Sequence, residues 1–114
     1  MTNHLYHITT APELAAAART GVYLPEAFPR EGFIHCSHAY QLLATASKHY
    51  PGRTGLVVLR IDPAKVPARV VEEDLHGTGQ AFPHIYGPLP MAAVVAVHDF
   101  PCGPNGFALP AGVV

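Results

Sequence analysis

The segment Leu56-Val57-Val58-Leu59-Arg60-Ile61 constrains the fold most. It is bounded by Gly55 and by the turn pair Asp62-Pro63, and it is apolar at almost every position. A strand apolar on both faces needs cover on both faces, so it is expected at the centre of a sheet. The other elements must supply its neighbours. His4 to Ile8 reads as a first strand, Phe33 to Cys36 as a second, Val70 to Glu72 as a fourth and Val94 to His98 as the last. Ile85-Tyr86 is extended, because Pro83 and Pro88 forbid helix there.

Two helices are expected, both early. Thr10 has the position of an N-cap with Glu13 three residues on, a capping box, and Pro12 fits the first turn. That alanine-rich helix stops at Gly21. Ser37 can cap a second helix over about Ala39 to His49, with Leu42, Leu43 and Ala46 inward and Pro51-Gly52 ending it. Pro25 to Gly32 reads as loop, as does His76-Gly77-Thr78-Gly79. About six short strands with two helices grouped in the N-terminal half give an α+β class rather than alternating βαβ units. The 114 residues form a single domain, 1–114, with about 101–114 expected as a loosely packed tail.

Composition narrows the function classes. Apolar residues are 49% of the chain and charged residues 13%, enough for a core, and no apolar run approaches a membrane span. The start lacks the pattern of a signal peptide, and two cysteines, Cys36 and Cys102, make no disulfide framework. A cytoplasmic protein with reduced thiols is expected, and a monomer rather than an obligate oligomer. With a formal charge of −1 and no basic stripe, double-stranded nucleic acid is not an expected partner.

Histidine is over-represented, with eight against seven Lys plus Arg. Side chains alternate faces along a strand, so three histidines share a face with a hydroxyl residue two positions on. These are His7 with Thr9, His35 with Ser37, and His84 with Tyr86. Strands carrying such pairs into one cleft would suit a polar, phosphate- or ribose-bearing small molecule. The remaining five, His4, His38, His49, His76 and His98, read as ordinary surface or core residues. His4-x-x-His7 and His35-x-x-His38 do not make zinc sites, because a spacing of three on a strand sends the side chains apart, and no metal is expected. Cys36 faces the core with Ile34 rather than acting as a nucleophile. The repeated His-apolar-Thr/Ser pattern of His7-Ile8-Thr9 and His35-Cys36-Ser37 resembles the two-histidine phosphoesterases, which pair one histidine as base with another as acid. In those enzymes the motifs lie in separate halves of a repeated fold, whereas only 25 residues separate them here.

Taken together, Leu5-Tyr6-His7-Ile8-Thr9, Gly32-Phe33-Ile34-His35-Cys36-Ser37, Leu56 to Asp62 and Phe82-Pro83-His84-Ile85-Tyr86-Gly87-Pro88-Leu89 resemble the bacterial family catalogued as domain of unknown function 952. The resemblance runs from about Leu5 to Phe100. It implies a fold grouped with the ADP-ribosyltransferases, an ADP-ribosylation-like, mostly antiparallel sheet, split and curved around an NAD cleft. It places His7 where a first-strand histidine meets the nicotinamide-side ribose, and His35 with Ser37 on the second cleft strand. Where the family reads Trp-Glu, this chain reads Glu72-Glu73, so Glu73 is the candidate carboxylate and the Trp is missing. His84 or Tyr86 can fill the late cleft position. The expected catalytic residues are therefore His35, His84 and Glu73. The expected ligand contacts are His7, Thr9, Ser37, Tyr86 and Arg60, with Arg60 notable among the arginines for its place on an apolar strand. NAD is the cofactor class implied, with ADP-ribosyl transfer, two-histidine phosphoester chemistry and a non-catalytic binding module as the competing readings.

Overall fold

The computed structural model describes residues 3–113. The apolar segment forms β4 (Leu56–Ile61), the central strand of a three-stranded antiparallel sheet, between β1 (Leu5–Thr10) and β8 (Val94–Asp99). Val58, Leu59 and Ile61 are fully buried, each contributing about 1.5–3 kcal/mol from removal of its side chain from water. A second antiparallel sheet orders β3 (Ile34–His35), β6 (Phe82–Ile85) and β5 (Val70–Glu73). Among the described residues the two sheets meet at one isolated bridge, where Tyr6 and Ser37 exchange backbone hydrogen bonds of 2.9 and 2.7 Å. The molecule is α+β, with antiparallel pairing throughout its two main sheets.

Alternation along β1 and β4 produces two cores. On one face Leu5, Leu59 and Ile61 pack against Ile34, Cys36 and Ile85 of the second sheet and against Ala17 of α1 (Ala11–Thr20). On the other, Tyr6, Ile8 and Val58 pack against Leu42 and Ala46 of α3 (Leu42–His49), with Phe100 and Val113. Leu43 is only partly buried beside them.

Several expectations shift. The first strand runs on to Thr10, which ends the strand and caps α1 by accepting from the Glu13 backbone N–H at 3.4 Å. The box is only half formed, because the Glu13 carboxylate turns to Thr9 and to the Glu26 backbone instead. Helix α1 does stop at Gly21, whose φ of 81° no side-chain-bearing residue holds without strain. The 25–32 loop contains a one-turn helix, α2 (Phe28–Glu31). His38, not Ser37, caps the 3-10 turn Ala39–Gln41 that leads into α3, since Ser37 is held by its bridge to Tyr6.

Two small pairs add strands that short sequence runs did not betray. One joins β2 (Val22–Tyr23) to β7 (Leu89–Pro90), and the other joins β9 (Cys102–Gly103) to β10 (Gly106–Phe107). The tail is not a loose arm: Phe107 stacks on Phe100 at 4.8 Å and Val113 is buried. Among the described residues no helix is long and apolar enough to cross a membrane.

Candidate functional site

Phe33, His35, His84 and Tyr86 gather on one face of the second sheet. Residues i and i+2 of a strand point the same way, and His35 lies directly across from His84 in the β3–β6 register. The Phe33 ring stacks on His84 at 4.0 Å, and the His35 ring meets His84 edge-on at 4.6 Å. Glu73 arrives from β5. Its Oε1 accepts the Nδ1–H of His84 at 2.8 Å and also accepts the Tyr86 hydroxyl. The bonds from Tyr86 and His84 hold the Glu73 carboxyl below the usual carboxylate range, and the bond to Glu73 pushes the Tyr86 phenol up. A carboxylate on one ring nitrogen fixes the tautomer and aim of the other. That other atom, His84 Nε2, is buried and has no hydrogen-bond partner.

His35 is packed on one side and open on the other. Burial of the ring against its neighbours, with His84 beside it, lowers its pKa to about 4. At neutral pH it is an uncharged imidazole that can donate and accept. It lines two cavities at once, one of about 800 Å³ and one of about 500 Å³. The larger lies at the split between the sheets, with Tyr23, Tyr50, Arg30 and Arg53 in its walls. The smaller lies beyond His35, against Glu73, His84 and the loop that follows β5.

The structure brings His35, His84, Glu73 and Tyr86 into one cluster; strand alternation pairs His84 with Tyr86, while Glu73 enters the expectation only through the family resemblance. His7 and Thr9 have a different place. The His7 ring lies under β3, with Nδ1 donating to the His35 carbonyl and Nε2 2.7 Å from the Tyr23 hydroxyl. The Tyr23 hydroxyl also lies 2.8 Å from Thr9 Oγ1, and Thr9 donates to Glu13 at 2.9 Å. Burial lowers the His7 pKa and raises that of Tyr23. Both ring nitrogens of His7 are thus engaged within the protein. The ring also lines the larger cavity, its bond to the His35 carbonyl fixes the backbone there, and with both nitrogens occupied it is not free to share a phosphate with His35 as a two-histidine phosphoesterase requires.

Ser37 Oγ lies 3.1 Å from Thr45 Oγ1 at the edge of the larger cavity. Arg60 is a correction: it lines neither cavity and pairs with Tyr6 and Ala96 on the opposite face of the first sheet, toward Gly112. Burial pushes the Cys36 thiol up, leaving it a poor nucleophile.

Four contributors carried no site signal in the sequence. His49 and His76 line both cavities, although each reads alone as a surface residue. Tyr23 follows a helix-ending glycine, and Glu13 sits in a capping position, so neither pattern hints at the bonds they make. Among the described residues no three His, Cys, Asp or Glu side chains converge as metal ligands.

A family model described as "Protein of unknown function (DUF952)" matches residues 8–97. The crystal structure of protein CC0527 from Caulobacter crescentus is similar, with a TM-score of 0.81 and 30% identity over 91% of this chain and 91% of that one. The solution NMR structure of the same protein gives a TM-score of 0.79 at 30% identity, over 91% and 90% of the two chains. No curated protein matches the chain. The chain therefore belongs to the family described as protein of unknown function DUF952.

Proposed function

We propose that the larger cavity binds a nucleotide of the NAD or ADP-ribose class, and that the protein is an ADP-ribosyltransferase-like transferase of the ADP-ribosylation fold group. One observation carries the reading: the cavity of about 800 Å³ opens where the two antiparallel sheets separate at the Tyr6–Ser37 bridge. Its size suits a ligand larger than a single sugar or base. Arg30 and Arg53 supply the charge for a diphosphate, and Arg53 already lies 5.6 Å from the centre of the Tyr50 ring, a platform for a base or nicotinamide.

Within this reading His35 meets the ribose as a neutral hydrogen-bonding group, and His7 positions it through the backbone. Thr9 acts through Tyr23, and Ser37 contributes a hydroxyl at the cavity edge. Loss of nicotinamide leaves a cation-like ribose, which a nearby carboxylate stabilises. Glu13 lines this cavity and Glu73 does not, so Glu13 takes that role while Glu73 serves His84. The free thiols of Cys36 and Cys102 fit a reducing cytoplasm, and the reading requires only one chain.

The test is incubation with NAD and chromatographic measurement of released nicotinamide. The reading expects release above the protein-free rate, reduced by an order of magnitude or more in His35→Ala. No release together with no NAD or ADP-ribose binding would overturn it. Binding of ADP-ribose with no turnover would reassign the cleft to a binding module.

A further inference from the structure

We infer that the smaller cavity, of about 500 Å³, is a separate site for a sugar-like polyhydroxyl ligand, with His84 Nε2 as the atom that recognises one of its hydroxyls. His84 is 2% exposed, its Nδ1 is committed to Glu73 at 2.8 Å, and its Nε2 has no partner. A buried polar atom left unpaired is costly, and a ligand that pairs it recovers that cost. Opposite Glu73, a neutral His84 offers a lone pair and a protonated one offers N–H. A hydroxyl satisfies either, because it both donates and accepts, whereas an ammonium or a carboxylate matches only one.

The rest of the chamber suits the same chemistry. Thr78 and Gln80 provide neutral hydrogen-bonding groups, and Asp74 is a carboxylate already fixed by the backbone N–H groups of Thr78 and Gly79 at 3.0 and 2.7 Å. Phe82 and the exposed Leu75 add apolar surface for the carbon face of a sugar ring. His35, whose ring meets His84 edge-on at 4.6 Å, lines both chambers together with Thr45, His49 and His76, and binding through Nε2 requires that ring to turn aside. The site goes beyond the nucleotide reading and stands whether or not the first cavity takes NAD.

The experiment is nitrogen-15 NMR of the histidine side chains during titration with D-ribose, D-glucose and myo-inositol as probes. At least one probe is expected to move the His84 Nε2 resonance saturably. His84 is stacked and buried, so its removal could cost the fold. The blocking variant is instead Ala44→Trp, at an exposed position of α3 that lines only the smaller chamber. It should abolish the sugar response. A wild-type His84 Nε2 unmoved by all three probes, or a full response in Ala44→Trp, overturns the inference. Failure of the nucleotide reading would show instead as an absent NAD response with the sugar response intact.

Discussion

The Glu73 carboxylate accepts a hydrogen bond from Nδ1–H of His84 at 2.8 Å, and this one bond decides what the opposite nitrogen can do. Without the carboxylate the ring has no reason to prefer one tautomer. Nitrogen-15 NMR of the wild type is expected to show the Nδ1–H form of His84 at high pH. Glu73→Ala should shift the balance toward Nε2–H and free the Tyr86 phenol, which would titrate lower than in the wild type. An unchanged tautomer in the variant would mean that Phe33 and His35, not Glu73, hold the ring.

Tyr23 ties the first strand to the region beneath β3. Its hydroxyl touches both His7 and Thr9 in a buried setting. Tyr23→Phe keeps the ring and removes those bonds, leaving buried polar atoms unpaired. A loss of about 1–3 kcal/mol in denaturant unfolding is expected. A variant as stable as wild type would show that the chain from His7 to Glu13 contributes little.

Acid should destabilise the protein well before its carboxylates titrate. His35 is lowered to about 4, and His7 and His98 are also lowered from 6.5, chiefly by burial. Between the folded and unfolded values the unfolded chain binds more protons, so stability is complete above the unfolded value and falls as pH drops toward the folded one. Below that, protonation of Glu73 and Asp74, both lowered, continues the decline. Melting temperatures recorded from about pH 7.5 to about pH 4.5 should fall steadily. The slope should be shallower in His35→Ala, and equal slopes would place the linkage elsewhere.

The two cysteines should differ in reactivity. Cys36 is buried with its thiol pushed up, while Cys102 is partly exposed. Thiolate is the reactive form, so iodoacetamide should label Cys102 on the native protein and Cys36 only after unfolding. Peptide mass spectrometry distinguishes the sites, and native labelling of Cys36 would mean that the core between the sheets opens readily.

Much of this arrangement was legible in the residues. Strand alternation alone placed His35 with Ser37 and His84 with Tyr86, and the composition of Leu56 to Ile61 made it central. The glycine of Ile85-Tyr86-Gly87-Pro88 proves to be a packing device, since a Cβ there would lie 2.7 Å from the Cβ of Ala68. Contacts between distant elements were not legible. The same alternation put His7 and Thr9 on one face but could not say that this face turns beneath β3 toward Tyr23. Arg60 stands out on an apolar strand, and its side chain runs to Gly112 of the tail, a neighbour that no local pattern announces. The tail itself, rich in turn formers, looked loose because turn chemistry carries no sign of the Phe100–Phe107 stack.

On the proposed reading, the cleft at the split of the two sheets takes a nucleotide against His35. Isothermal titration calorimetry with ADP-ribose measures that contact. One saturable site on the wild type is expected, weakened about tenfold or more, equivalent to about 1.4 kcal/mol, in His35→Ala. No binding to the wild type, or equal affinity in the variant, would contradict it.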